Sequence, residues 1–194
     1  RAVLDAEPML REKGLHGGAR YFDAQCDDAR LVLTTARSAI EHGAQVANYM
    51  PVRRLVIRDG RVAGAEVEDL VTGEMGIIQA AAVLNATGPW GDGVRRMEEP
   101  GVAPLLRTTR GVHIVVPRER VGHRHAITFL SPIDGRVMFV LPWGELSYIG
   151  TTDTDTSEAP AHPRASDADI TYLLRSVNAR FPGAHLTPDD ITVT

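Results

Sequence analysis

Two stretches of the chain carry apolar residues at the spacing of three to four residues that is typical of an amphipathic helix. The first follows Asp27 and Asp28, either of which can cap the helix, and Gly43 supplies its C-terminal stop. The second starts at about Ser166, where Ser166 and Asp169 have the spacing of a capping box, and its apolar stripe is expected to pack on a sheet. The apolar positions are Leu31, Val32, Ala36, Ala39 and Ile40 in the first helix, and Ile170, Leu173, Leu174 and Val177 in the second.

The region after the first helix predicts a β-meander. Asp59-Gly60 is a two-residue hairpin turn of the kind that requires positive φ, and Thr72-Gly73 is a second turn. Residues 82–84 are expected to form a short buried strand that leads to residues 85–90. The other runs of the meander begin near Val46 and cover residues 54–58, 62–70 and 76–78.

The following region predicts an antiparallel sheet, because four β-like runs succeed one another and Asp134-Gly135 joins the second to the third. A connector rich in Pro and Ala, residues 159–163, leads to the second helix. Residues 1–25 are expected to be irregular surface chain, and residues 190–194 resemble a strand that is cut short. Since the chain also lacks an initial Met, we expect it to be an internal piece of a longer protein. The four runs cover residues 113–116, 126–130, 137–141 and 146–150.

The amino-acid composition of the chain argues against several functional classes of protein. Hydrophobic residues make up 43% of the 194 residues, which is enough for a substantial core, and the net charge of -4 comes without a basic run. We therefore expect no nucleic-acid partner. The single cysteine, Cys26, excludes a disulfide framework and a cysteine-based zinc site, and His123 and His125 have no carboxylate or cysteine partner beside them, so we expect no metal. No run approaches about 18 apolar residues, the length that a membrane span requires.

Five short segments are informative when they are taken together, because the combination of their order and their spacing along the chain is specific. They are Tyr21-Phe22-Asp23, Asp27 to Leu31, Asn85 to Trp90, Gly111 to Pro117, and Ile149 to Asp153. Together they resemble the FAD-dependent (aerobic) glycerol-3-phosphate dehydrogenase family. The resemblance covers almost the whole chain.

The resemblance implies an α/β (α+β) fold that is part of a two-lobed FAD-dependent oxidoreductase, similar to D-amino-acid oxidase. It would combine the β-meander with an antiparallel sheet in the substrate lobe. Residues 1–97 would then be part of the FAD-binding lobe, residues 98–187 the substrate-binding lobe, and residues 188–194 a truncated strand returning to the FAD lobe.

The implied activity is oxidation of sn-glycerol 3-phosphate to dihydroxyacetone phosphate, with FAD as cofactor and a quinone as electron acceptor. The parent protein would be cytoplasmic and peripheral to the inner face of the cytoplasmic membrane. No Gly-x-Gly-x-x-Gly motif follows a strand in this chain, so the isolated chain is expected to be inactive. The alternatives are another oxidase of the same fold, acting on sarcosine or a D-amino acid, and a non-catalytic folded module that could form a homodimer.

The resemblance places the FAD contacts on Val52 and on the loop of Asn85, Ala86, Thr87, Gly88 and Trp90. A turn of small residues directly after a strand lets backbone N–H groups approach a phosphate or a flavin. The alternative for the loop is an ordinary turn that ends a strand, with Trp90 as a packing residue. The alternative for Val52 is a core valine.

His113 is the catalytic candidate, because a histidine that titrates near neutral pH can take the proton of the substrate hydroxyl or orient that hydroxyl. The alternative is a hydrogen-bonded histidine in the core. Arg110 is expected either to steer the substrate or to be a solvated strand end. Thr151 and Thr152 are expected either to line the substrate pocket or to form a turn with Asp153.

Overall fold

The computed structural model describes residues 1–157, 161 and 163–194, so most of the expected connector at residues 159–163 lies outside the described residues. These residues form two compact units, one of residues 21–106 and one that combines residues 1–20 with residues 107–194. The helices are α1 (Ala2–Ala6), α2 (Asp28–Glu41), α3 (Gly91–Glu98), α4 (Arg118–Val121) and α5 (Asp167–Arg180). The strands are β1 (Val52–Arg58), β2 (Arg61–Glu68), β3 (Met75–Gln79), β4 (Thr109–Arg110), β5 (His113–Pro117), β6 (Ile127–Leu130), β7 (Val137–Trp143), β8 (Leu146–Gly150) and β9 (Thr154–Asp155).

The unit of residues 21–106 contains α2, α3 and the predicted meander. Strands β1, β2 and β3 form an antiparallel sheet in that order. Asp59 and Gly60 both have positive φ, so the predicted hairpin turn is confirmed. The N-cap of α2 is Asp27, whose side chain accepts a hydrogen bond from the amide of Arg30. On β2, Gly64 has a φ of +152°, and a Cβ there would overlap the carbonyl oxygen of Ile78 on β3, so only glycine fits.

Two expected strands of this unit do not form. The chain near Val46 is not extended in a sheet, and residues 82–84 are neither a strand nor buried: Leu84 is 91% exposed. A β-strand needs a neighbour to pair its backbone donors and acceptors. None of the described residues pairs with residues 82–84.

The other unit is built on a four-stranded antiparallel sheet, as the sequence predicted. The order of its strands is β5-β8-β7-β6, so β5 pairs with β8 and not with β6, which follows it in sequence. Helix α5 packs on one face of this sheet, and its predicted capping box between Ser166 and Asp169 is present. The side chains that face α5 are buried and form the core. Because side chains alternate along a strand, the residues between them lie on the opposite side. We call that side the open face; it carries His113, Thr128, Val137, Phe139 and Tyr148.

The two ends of the chain differ from expectation. Residues 1–25 are not all irregular, because Ala2–Ala6 is helical and Glu7 is buried by hydrogen bonds to residues far along the chain. At the other end a single 3-10 turn, Pro188–Asp190, precedes an isolated bridge between Val193 and Val115 instead of a strand. Residues 1–20 pack with residues 107–194 in one unit. The assignment of residues 1–97, 98–187 and 188–194 to functional lobes stays a prediction.

Candidate active site

His113 begins β5 on the open face, directly across from Gly150 on β8. Its ring stacks on the ring of Tyr148, with centroids 4.4 Å apart and planes inclined by 23°. Burial lowers the pKa of His113 below its ordinary value, so the imidazole is neutral at pH 7. Neither ring nitrogen makes a hydrogen bond within the described part of the chain, so these residues do not supply the partner that a hydrogen-bonded core histidine requires.

Gly150 provides the space that the His113 ring occupies. A Cβ atom at residue 150 would overlap the Cδ2 atom of His113. The imidazole therefore lies over the backbone of β8, with the phenol ring of Tyr148 on the same strand beside it. This is an arrangement that a larger residue at position 150 would destroy.

Thr151 and Thr152 follow β8 and return toward the start of β5. The Thr152 hydroxyl accepts a hydrogen bond of 3.0 Å from the amide of Val112, and the Thr152 amide donates to the carbonyl of Val112. The hydroxyl of Thr151 donates to the carbonyl of Thr152 at 2.9 Å. The structure thus brings both threonines close in sequence and in space to the residue that precedes His113. Gly111 is required nearby, because a Cβ there would lie 2.9 Å from the Thr151 hydroxyl.

Arg110 is not a solvated strand end. It lies in β4, which pairs with β9, and its guanidinium Nη2 is 2.8 Å from the Oδ2 atom of Asp169. Both side chains are almost fully buried. Sequence reasoning gave no sign of this pair, since the two residues are 59 positions apart.

The predicted cofactor loop is a compact turn held by Asn85. The Asn85 Oδ1 atom accepts hydrogen bonds from the hydroxyl and the amide of Thr87, and its Nδ2 group donates to the carbonyl of Gly91. Ala86 lies inside this turn, and a single 3-10 turn, Gly88–Trp90, leads from it into α3. Gly88 has a φ of +54°, a conformation that favours glycine.

The surface of the loop is not covered by other described residues at Gly88 and Trp90. A Cβ at Gly88 would meet no atom within 4 Å, and Trp90 is 50% exposed, so Trp90 is not a packing residue in this unit. Val52 starts β1 and is also exposed among the described residues. Helix α3, which follows the loop, packs against β1. The loop therefore presents an exposed turn of small residues next to an exposed aromatic ring.

Asp92 is a residue that the sequence analysis missed. Its carboxylate accepts hydrogen bonds from the amides of Leu105 and Leu106 and from the guanidinium of Arg95. The two backbone hydrogen bonds, with the help of Arg95, lower the pKa of Asp92 to about 2. An acidic residue in the first turn of a helix was the only signal available, and its partners lie 13 and 14 residues away.

A second missed cluster joins Glu7 to the chain after α4. The buried Glu7 carboxylate accepts hydrogen bonds from the amides of Arg124 and His125 and from the His125 ring. His123 is buried as well, with its Nδ1 atom 2.7 Å from the carbonyl of His125 and its Nε2 atom 2.6 Å from the hydroxyl of Ser147. A carbonyl can only accept, so Nδ1 carries the proton and Nε2 accepts from Ser147.

The pair of His123 and Ser147 does not form a nucleophilic site. Ser147 is fully buried within β8, where no substrate could reach its hydroxyl. Burial lowers the pKa of His123, which keeps this ring neutral and structural.

Within the described residues no three His, Cys, Asp or Glu side chains are arranged to bind a metal ion. None of the helices found in that part of the chain is long and apolar enough to cross a membrane.

Comparison with known proteins connects this geometry to one family. The family model described as FAD dependent oxidoreductase matches residues 1–194. The chain is 40% identical over 193 residues to the alpha-glycerophosphate oxidase of Streptococcus pyogenes serotype M1, covering 97% of this chain and 31% of that protein. It is 35% identical over 191 residues to the aerobic glycerol-3-phosphate dehydrogenase of Bacillus subtilis, covering 98% and 34%.

A solved structure is similar in fold as well. The glycerol-3-phosphate dehydrogenase from Bacillus halodurans complexed with FAD superposes with a TM-score of 0.94 at 38% identity. The match covers 98% of this chain and 38% of that one. The chain therefore spans about a third of the length of the curated relatives that it matches.

Proposed function

The chain belongs to the family of FAD-dependent oxidoreductases, and from that membership we propose that it is part of a flavoenzyme that oxidises sn-glycerol 3-phosphate to dihydroxyacetone phosphate. Relatives named as glycerophosphate oxidases and glycerol-3-phosphate dehydrogenases support this substrate. The observation that carries the proposal is the position of His113: a neutral imidazole on the open face, with no ring nitrogen hydrogen-bonded to a described residue.

The reaction requires a base near the substrate hydroxyl. Oxidation of a secondary alcohol removes a hydride from carbon, which bound FAD accepts, and a proton from the hydroxyl oxygen. The neutral ring of His113 can take that proton or hold the hydroxyl in place through its free ring nitrogen. A protonated ring could not act as the base, so the lowered pKa of His113 favours this role at neutral pH.

Arg110, Thr151 and Thr152 are proposed to line the substrate site. Thr152 is buried and its hydroxyl accepts from the amide of Val112, so we assign it the role of shaping the wall of the site and not of donating to the substrate. Thr151 lies next to it and is only half-buried. The charge of Arg110 is largely balanced by Asp169, so we assign it the weaker role of adding positive potential for a phosphate group.

FAD would be contacted by Val52 and by the loop of Asn85, Ala86, Thr87, Gly88 and Trp90. The open surface at Gly88 and the exposed indole of Trp90 support the proposal for the loop. Exposure of Val52 supports contact through the start of β1. The chain has no Gly-x-Gly-x-x-Gly motif after a strand, so we propose that it does not retain FAD by itself.

The proposed acceptor of the electrons is a quinone, and the whole enzyme would bind to the inner face of the cytoplasmic membrane without crossing it. Similarity to aerobic glycerol-3-phosphate dehydrogenases supports the quinone. Similarity to glycerophosphate oxidases supports oxygen instead. Reduction of a soluble quinone analogue, compared with oxygen uptake under the same conditions, distinguishes the two acceptors, and sedimentation with lipid vesicles tests the membrane contact.

Anaerobic bleaching of the flavin band tests the substrate. In the purified protein that contains this chain, sn-glycerol 3-phosphate is expected to bleach the band, whereas glycerol, sarcosine and D-alanine are not. Bleaching by sarcosine or D-alanine but not by glycerol 3-phosphate would assign the chain to another oxidase of the same fold. The isolated 194-residue chain, incubated with FAD and desalted, is expected to show no flavin band.

A further inference from the structure

The open face of the sheet carries the imidazole of His113, the proposed base. His113 lies on this face together with the exposed side chains of Val137, Phe139 and Tyr148. Its ring has no hydrogen bond to another described residue that would fix its orientation. A histidine side chain has several rotamers, and a base acts efficiently only when its nitrogen is held at the reacting atom. Among the described residues, contacts other than a hydrogen bond therefore hold this ring.

Two residues of β8 restrict the ring from different directions. Gly150, opposite His113 in the sheet, leaves a space that the imidazole fills. Tyr148, two residues earlier on the same strand and face, lies against the ring at 4.4 Å with nearly parallel planes. Diagonal neighbours in an antiparallel sheet are within reach of aromatic side chains, and this register places Tyr148 diagonally to His113.

The contribution of Tyr148 comes from its ring. The phenolic hydroxyl makes no hydrogen bond within the described residues, and the side chain is 38% exposed, so Tyr148 is not a residue of the core. Aromatic pairs favour offset stacking at centroid distances such as this one. The ring plane, not the hydroxyl, is what β8 supplies to His113.

We infer that Tyr148 is a positioning residue, which stacks on His113 and, with the space left by Gly150, fixes the orientation in which the imidazole meets the substrate. The inference rests on the proposed function of His113 as the base or the hydroxyl-orienting group. It adds a second strand to the site, because β8 then determines the geometry of a group that β5 carries.

The stacked geometry can be measured without activity, in the 194-residue chain itself. A tyrosine ring shifts the imidazole protons that lie over it upfield in the proton NMR spectrum. We expect the His113 signals, assigned by their loss in His113→Gln, to move downfield in Tyr148→Ala and to stay near their original position in Tyr148→Phe. Tyr172→Ala is the matched control, because Tyr172 lies on α5, packed against the core. It is expected to lower stability and leave the His113 signals in place.

The consequence for catalysis is measured in the full-length flavoenzyme. We expect Tyr148→Ala to lower kcat by about 10- to 100-fold, the loss that follows from displacement of a catalytic group by about 1 Å, with a smaller change in KM. Tyr148→Phe is expected to recover most of the lost kcat. Gly150→Ala is expected to resemble Tyr148→Ala in kcat and in the His113 signals, because its Cβ displaces the ring.

The outcomes distinguish the positioning role of Tyr148 from the proposed function of His113. Unchanged His113 signals in Tyr148→Ala would overturn the stacking. A displaced ring in Tyr148→Ala with kcat as in the wild type, while His113→Gln is impaired, would overturn the positioning role alone. Full activity in His113→Gln would instead overturn the proposed function of His113, whatever the NMR spectra show.

Discussion

Arg110 Nη2 lies 2.8 Å from Asp169 Oδ2, and the two side chains are only 11% and 6% exposed. This ion pair joins β4 to the first turn of α5. The same carboxylate oxygen accepts hydrogen bonds from the amide and the hydroxyl of Ser166. Burial acts to raise the pKa of Asp169, but the hydrogen bonds from Ser166 and the ion pair with Arg110 outweigh it, so the pKa lies below its ordinary value.

We expect Asp169→Asn to lower the free energy of unfolding by about 3–5 kcal/mol, because it removes the carboxylate from an almost fully buried ion pair with Arg110. Chemical denaturation measures this loss. Asp167→Asn is the control, since Asp167 is an exposed acid in the same turn. An equal loss in both variants would mean that only the charge near the helix end matters. Because folding lowers the pKa of Asp169, its contribution is present above the unfolded pKa and is lost as the pH falls through the folded pKa.

Glu7→Ala should destabilise the protein more than His125→Ala. The first change removes the buried carboxylate that accepts from the amides of Arg124 and His125, and a hydrogen bond to a charged group contributes about 1.5–3 kcal/mol. The second change removes only the partly exposed ring that also donates to Glu7. Thermal unfolding of the two variants compares these losses. A larger loss in His125→Ala would show that the ring, and not the backbone, depends on Glu7.

Local chemistry made much of the fold predictable. The N-cap at Asp27, the capping box of Ser166 and the turn at Asp59-Gly60 each depend on neighbours within a few residues, and all three are present. The antiparallel sheet followed from successive strand-like runs joined by short turns. A pattern of this kind states which face of a strand is apolar, but it does not contain the order of the strands, in which β5 pairs with β8 and not with β6.

Contacts across the sequence were not predictable from it. Glu7 is fixed by amides more than 110 residues away, and Arg110 by a carboxylate 59 residues away, so nothing beside either residue indicated burial. Residues 82–84 have the composition of a buried strand, yet no described residue pairs with them. For the site, the sequence indicated His113 through the family resemblance. The stack on Tyr148 depends on the register of β5 and β8, which composition does not specify.

We expect Asp92→Asn to loosen the chain at Leu105 and Leu106. The two carboxylate oxygens together accept from Leu105, Leu106 and Arg95, and in asparagine one of these oxygens is replaced by an NH2 group that can only donate. Hydrogen exchange at these two amides, followed by mass spectrometry or NMR, is expected to speed up, with Asp5→Asn as the control. Unchanged exchange would mean that other contacts hold the segment. Since folding lowers the pKa of Asp92 to about 2, the wild type should lose this protection as the pH falls from about 4 through about 2.

His113→Gln should lower kcat/KM for glycerol 3-phosphate by about 10²- to 10⁴-fold in the full-length flavoenzyme, because glutamine cannot accept the hydroxyl proton at neutral pH. His16→Gln, which changes an exposed histidine, is the control and should retain normal activity. Burial lowers the pKa of His113, so the folded protein favours the neutral ring. The wild-type kcat/KM should therefore stay high through neutral pH and fall only when the pH drops below about 6.5, the ordinary pKa of histidine.

The variant should lack this acidic limb. Its kcat/KM is expected to be low and nearly independent of pH over the range in which His113 titrates, since the group responsible for the limb is gone. An acidic limb that persists unchanged in His113→Gln would assign the base to another residue. His113 would then bind or orient the substrate, and the loss in the variant should appear in KM more than in kcat.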